Sequence, residues 1–275
     1  MNMKGEFAQI IEYLQNGKPV LHHITNYVTA RDCADAALAV GASPVMADAA
    51  GEVAEFTAAS DALVLNLGAL NEARMETMEL AAETAKKSKI PVVLDPVGVM
   101  SSNVRLEFAI KLLQAGYITI VRGNYSECKA LLEMEISGQG VDSLQTPDQG
   151  EALKTVKDAS RQYKCIFAMT GAVDYISDGK RAMMINGGDP LMRCITGGGC
   201  MTTTVVAACA AAAEDKFAGA MLGLIIMGQA AELAKGLMEK KDGPGMFKVR
   251  LIDGIYHVVT KWNLIMDRLN PEKAN

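Results

Sequence analysis

Three consecutive glycines and a thiol, Gly197-Gly198-Gly199-Cys200, stand immediately before Met201-Thr202-Thr203-Thr204-Val205-Val206 and a long alanine-rich stretch. Glycine takes positive φ at no steric cost, so such a loop can turn several backbone N–H groups toward one point. A helix that starts there adds roughly half a positive charge at its N-terminus. Together they make a socket for an anion, most often a phosphate. A plain loop-to-helix junction would use the same glycines. Cys200 sits where the loop enters the helix, close to whatever the socket holds, and a helix end lowers the pKa of a thiol.

Three further sets carry chemistry. Asp95-Pro96-Val97-Gly98 sets a carboxylate before a rigid turn, which suits Mg²⁺ or phosphate and equally the start of an ordinary turn. Arg122-Gly123-Asn124-Tyr125-Ser126-Glu127 joins a guanidinium that can clamp phosphate oxygens to an acid that can hold a Mg²⁺-bound water. Ser126 as a helix N-cap, with Glu127 favoured by the dipole, explains the acid but not the arginine. Thr170-Gly171 adds a hydroxyl and a glycine. An arginine, two acids, a Thr-Gly and a glycine anion hole are the parts that phosphoryl transfer uses. The chain has no GxxxxGK[ST] loop, so a nucleotide site here would be of a different design.

These residues need a scaffold that brings them together. Short runs rich in β-branched residues, at 20–25, 44–47, 62–67, 91–94, 118–121 and 166–169, alternate with helical stretches at 29–40, 71–88, 103–115, 126–133 and 149–163. Several strands are apolar on consecutive residues, as a sheet covered on both faces requires. The rhythm predicts a mostly parallel α/β sheet in one domain over 1–275. Ligands bind at the carboxyl ends of such strands, where each polar set above falls. Residues 175–177 and 181–185 around Asp178-Gly179 predict a hairpin. The last third reads as helices at 199–214, 216–240 and 248–269, broken at Gly243-Pro244-Gly245. The alanines after Cys200 are too small to fill a core alone and predict close helix–helix packing.

Composition narrows the classes. With 275 residues and 50% hydrophobic content the chain can bury a large core. A net charge of −5 without any Lys/Arg run argues against nucleic acid as a partner. The apolar stretches 205–213 and 217–228 are shorter than the 18 or so residues of a membrane helix. The N-terminus has no apolar signal core, so a soluble, cytoplasmic protein is expected. Six cysteines and three histidines form no CxxC pair or metal-ligand spacing. All but Cys200 read as small core residues.

The ordered set His22-His23-Ile24-Thr25-Asn26, Gly41-Ala42-Ser43-Pro44-Val45-Met46-Ala47, Asp95 to Gly98, Arg122 to Glu127, Thr170-Gly171, Pro190-Leu191-Met192 and Thr196 to Cys200 resembles the hydroxyethylthiazole kinases of thiamine salvage. The likeness spans about residues 19–255, and Gly243-Pro244-Gly245-Met246-Phe247 also fits. It implies a ribokinase-like fold, with helices on both faces of the sheet. It implies a homotrimer with sites between subunits, and transfer of the ATP γ-phosphate to the primary alcohol of 4-methyl-5-(2-hydroxyethyl)thiazole. By position, Met46, Asn26 and Gly197 would bind the thiazole, and Arg122, Thr170 and Asn124 the ATP. Asp95 and Glu127 would organise Mg²⁺. Gly197, Gly198 and Gly199 would cradle the transferring group, and Cys200 stands where relatives of the wider fold place an aspartate base.

The chain departs from the family pattern at His23, Asp35, residues 99–102, Asp189 and Gly198, which bears on the choice of alcohol. Other readings are a nucleotide-dependent dehydratase of hydrated nicotinamide cofactors, a kinase of another small heterocyclic alcohol, and a non-catalytic trimeric binding protein. Relatives of the dehydratase class usually carry an acid at the end of the glycine loop, where this chain has Cys200. An unperturbed thiol of pKa about 8.5 is only about 3% ionised at pH 7. The expectation is that the cradle and the metal carry most of the catalysis, while Cys200 orients or deprotonates the alcohol.

Overall fold

A computed structural model describes residues 3–133, 147–262 and 272–273. All six expected β-rich runs become parallel strands: β1 (Val20–Ile24), β2 (Ser43–Val45), β3 (Ala62–Asn66), β4 (Val92–Asp95), β5 (Ile120–Asn124) and β6 (Ile166–Thr170). They stand side by side in the order β2-β1-β3-β4-β5-β6. The expected hairpin follows as β7 (Val173–Ser177), antiparallel to β6, and β8 (Ala182–Asn186), antiparallel to β7. A short β9 (Glu272–Lys273), not foreseen from the sequence, pairs with β8. The edge strand β2 is three residues long and carries Pro44 in the middle.

Helices cover both faces. On one lie α1 (Met3–Gly17), α2 (Ala30–Val40), α8 (Gly198–Ala212), α9 (Lys216–Gly236) and α10 (Pro244–Thr260), joined in one core through Leu14, Ala36, Val205, Ile226 and Leu251. On the other lie α4 (Glu72–Ser88), α5 (Asn103–Gln114), α6 (Tyr125–Glu133) and α7 (Gln149–Tyr163), whose Met78, Leu106, Leu131 and Val156 pack on Leu65, Leu94 and Phe167 of the sheet. A short α3 (Val53–Ala58) follows β2.

The structure corrects several expectations. Helix α1 is an addition to them, and Phe7, Ile10, Ile11 and Leu14 bury one of its faces at helical spacing. Helix α10 begins at Pro244 rather than 248, because proline is well tolerated in a first turn, where its missing N–H costs nothing. Its expected extension to 269 lies outside the described residues. Cys194 is exposed rather than a core residue, in a 3-10 turn over Pro190–Cys194.

The alanine-rich stretch does pack closely, and glycine makes it possible. A Cβ on Gly223 of α9 would lie 2.6 Å from the Val206 Cα of α8. Helix α9 is 21 residues long and apolar enough by length and composition to cross a membrane, unlike the shorter apolar run expected within it. It is mostly buried, sandwiched between α8 and α10.

Candidate active site

Adjacent parallel strands set their last residues side by side, and here those residues are polar. Asn66 and Asp95 are register partners on β3 and β4, as are Asn124 and Thr170 on β5 and β6. Asp95 is buried, and its Oδ2 accepts from Asn66 Nδ2 at 2.9 Å and from Thr203 Oγ1 of α8 at 2.9 Å. Its Oδ1 has no hydrogen-bond partner and faces Arg122, whose nearest nitrogen is 3.9 Å away. Burial pushes the Asp95 carboxyl above its ordinary range, and Arg122 opposes the shift. The other arm of Arg122 donates to Thr170 Oγ1 at 2.5 Å.

Glu127 is positioned by a reciprocal cap. Its Oε2 accepts from the Asn124 N–H at 2.8 Å, while Asn124 Oδ1 accepts from the Glu127 N–H at 2.9 Å. Asn124 therefore caps α6, not Ser126. The same carboxylate also accepts from the Gly98 N–H at 3.3 Å, tying the β4 turn to the start of α6. Burial, and then the nearby Asp95, push its pKa up to about 7.

Of the three loop glycines, only Gly197 takes positive φ, at 89°, as the N-cap of α8. Gly198 and Gly199 already belong to the first turn of α8. The first intrahelical bond at this end is Met201 N–H to Gly197 O at 2.8 Å, so the amides of Gly198, Gly199 and Cys200 precede the ladder. Gly199 is there for proximity: a Cβ would lie 2.6 Å from Arg122 NH1. Its absence lets the guanidinium reach over the helix start, which sets a second positive group beside the free amides of this end.

Cys200 Sγ accepts from Asn66 Nδ2 at 3.3 Å and from Asn26 Nδ2 at 3.6 Å. The thiol is held below its ordinary pKa, first by a hydrogen bond from the Cys33 thiol, with Thr29 and Arg122 assisting; burial and Asp95 oppose. The Cys33 thiol is pushed up in return. The sequence credits the helix end for this shift and places Cys33 in the core. Cys33 is indeed buried, but its thiol points into the site.

The structure thus brings together Asn26, Asp95, Arg122, Glu127, Thr170, Gly197, Gly198, Gly199 and Cys200. Met46, 37% exposed, directly follows edge strand β2. The sequence reading missed Asn66, Thr203 and Cys33. Asn66 is the hub: besides its bonds to Asp95 and Cys200, its Oδ1 accepts from Asn26 Nδ2 at 3.0 Å and from the Gly68 N–H at 2.9 Å. Its signal is that of a polar residue ending an apolar strand, hidden inside the run 62–67. Thr203 lies three residues beyond Cys200, on the same helical face.

Most departures from the family pattern prove to be structural. His23 is buried, with Nδ1–H donating to Leu21 O at 3.1 Å and Nε2 lying 3.2 Å from Thr204 Oγ1, so it links β1 to α8. Asp35 forms a solvent-exposed pair with Arg31. Asp189 caps the 3-10 turn through the Leu191 N–H. Val99 and Met100 are buried, and Ser102 caps α5. Gly198 alone remains at the cradle.

The acids fit a divalent cation. Asp95 Oδ1 is buried and unpartnered, and Glu127 is a buried carboxyl with another acid for a neighbour. Among the described residues, no three His, Cys, Asp or Glu converge as a metal cage. That suits Mg²⁺, which is usually held by one or two carboxylates and completed by substrate phosphates.

A family model described as the hydroxyethylthiazole kinase family matches residues 11–261. A hydroxyethylthiazole kinase of Alkaliphilus metalliredigens is 41% identical over 253 residues, 92% of each chain. Another, from Clostridium beijerinckii, is 38% identical over 98% of this chain and 97% of its own. Among solved structures, a hydroxyethylthiazole kinase from Pyrococcus horikoshii superposes with a TM-score of 0.85 at 33% identity, covering 97% of both chains. A Staphylococcus aureus pyridoxal kinase in complex with ADP shares the fold, with a TM-score of 0.59 at 15% identity.

Proposed function

This chain belongs to the hydroxyethylthiazole kinase family, and from that premise we propose how its residues divide the work. It is an ATP-dependent kinase of ribokinase-like fold. It phosphorylates the primary alcohol of 4-methyl-5-(2-hydroxyethyl)thiazole, a salvage step of thiamine biosynthesis. One observation carries the assignment of roles: the Cys200 sulfur, held by two amide donors, opens α8 beside Asp95, Arg122 and the Gly197 turn.

Asn26, Met46 and Gly197 bind the acceptor alcohol, while Arg122, Thr170 and Asn124 bind the nucleotide. Asp95 and Glu127 hold Mg²⁺, which neutralises phosphate charge when it is bound with the nucleotide. The α8 amides, with Gly198 and Gly199 leaving space around them, receive the transferring phosphoryl group. Cys200 takes the hydroxyl proton as the oxygen attacks. The N–H donors of Asn26 and Asn66 and the Cys33 thiol stabilise its thiolate form. A loose transition state demands little of such a base, so a thiol serves where an aspartate would.

The described chain forms a single domain and works in the cytoplasm as a homotrimer, with its sites between subunits. Tyr27 and Val28, 73% and 77% exposed beside Asn26, offer apolar surface for a neighbouring subunit. A coupled assay of ADP release over a panel of alcohols tests the reading. ADP is expected only when the thiazole alcohol is added with ATP and Mg²⁺; release independent of any alcohol would sink it.

A further inference from the structure

Arg74 lies in the first turn of α4 with its side chain only 5% exposed. Both lost hydration and the positive end of the helix dipole disfavour a cation there. Its guanidinium is where three loops meet. NH2 donates to Asp48 Oδ2 at 2.8 Å, in the loop after β2. NH1 donates to Ala69 O at 3.2 Å, in the turn after β3. Its Cζ lies 4.4 Å from the centre of the Tyr27 ring, in the loop after β1. Tyr27 closes the set by donating its hydroxyl to the same Asp48 oxygen at 3.2 Å.

These three loops also carry Asn26, Met46 and Gly68. Tyr27 is 73% exposed, so Arg74 and Asp48 fix its ring rather than any core. Asp48 neutralises the arginine, and the ring face receives it by a cation–π contact. Such an arrangement fixes geometry at a site where burying a charge gives little net stability.

We propose that Arg74 is a positioning residue for the acceptor alcohol: it locks Tyr27 and Asp48 into one wall of the acceptor pocket. The inference rests on the placement of the acceptor against Asn26, Met46 and Gly197. It assigns no contact between Arg74 and either substrate.

Steady-state kinetics of Tyr27→Leu, Asp48→Asn, Arg74→Lys and Arg74→Met test it, with variants matched to the wild type in sedimentation mass. Alcohol-dependent ADP release by the wild type tests the underlying reading; the ratios among variants test this proposal alone. Loosening a substrate-positioning wall should raise the KM for the alcohol about tenfold in Arg74→Met and several-fold in Tyr27→Leu. The KM for ATP should stay at the wild-type value. Arg74→Lys should fall between, since an ammonium can reach Asp48 but cannot also present a planar face to Tyr27. Tyr27 lies outside the core of its own chain, so its variant spares the fold, and the matched sedimentation mass shows that the proposed subunit contact is kept. An unchanged alcohol KM in Tyr27→Leu, or a parallel rise in both KM values across the series, overturns the proposal.

Discussion

At the scale of single residues the site depends on absences as much as on functional groups. Gly199 has no Cβ to push Arg122 off the start of α8. Gly199→Ala should keep the fold, because alanine suits a helical first turn. It should lower kcat/KM for ATP by about ten- to a hundredfold, the scale of one charge-assisted hydrogen bond; steady-state kinetics beside a thermal melt measure both. The thiol pair gives a second test. Cys33 holds the Cys200 thiol below its ordinary pKa, so thiolate forms at lower pH than in a free cysteine. Cys33→Ala removes the donor, and the alkylation rate of Cys200 against pH should move to higher pH. Cys33→Ser restores a donor and should move it back. The exposed Cys194 must first be replaced by serine so that it does not mask the signal.

At the scale of elements, the six parallel strands and the longer helices between them are legible in the amino-acid sequence, because strand-end chemistry and apolar runs are local properties. Helix α3, six residues long, is too short to show a helical period and is not foreseen. Asp95, Glu127, Thr170 and Cys200 are legible for the same reason as the strands: each is a polar residue that ends a strand or opens a helix. Arg122 stands out as a cation directly after an apolar run, although β5 continues past it to Asn124. The connections among them are not. Asn66 joins Asn26, Asp95 and Cys200 across four segments, and Cys33 reaches Cys200 from α2; only the folded register creates those contacts. Helix α1 does carry a readable 3.6-residue period, though no expectation rested on it. The close packing of α8 on α9 follows from the alanines, but the glycine that permits it lies in the other helix. Gly223→Ala would bring a Cβ to 2.6 Å from Val206 Cα, so backbone must shift. The expected cost is about 1–3 kcal/mol, read by urea unfolding, even though alanine is the better helix former.

At the scale of the whole molecule, acid sensitivity is built into the link between β1 and α8. Burial lowers the His23 pKa to about 4 from 6.5. Above pH 6.5 both folded and unfolded chains carry it neutral and nothing is lost. Below that the unfolded chain takes up a proton that the folded chain refuses, so stability falls as pH drops from 6.5 toward 4. Between pH 7.5 and 5 this one group should remove about 2 kcal/mol. His23→Asn should abolish that share of the decline, compared by denaturant titration at the two pH values. His22, whose pKa is also lowered by burial, keeps its own smaller share in both proteins. The outermost strand on the β2 side has a further consequence for the molecule at large. A long, flat margin of free amides would template β-pairing between molecules at high concentration. Here that margin is three residues, and Pro44 in its middle has no N–H to lend to an incoming chain. The side of the sheet that holds Met46 can therefore stay open to small substrates without inviting fibril-like association.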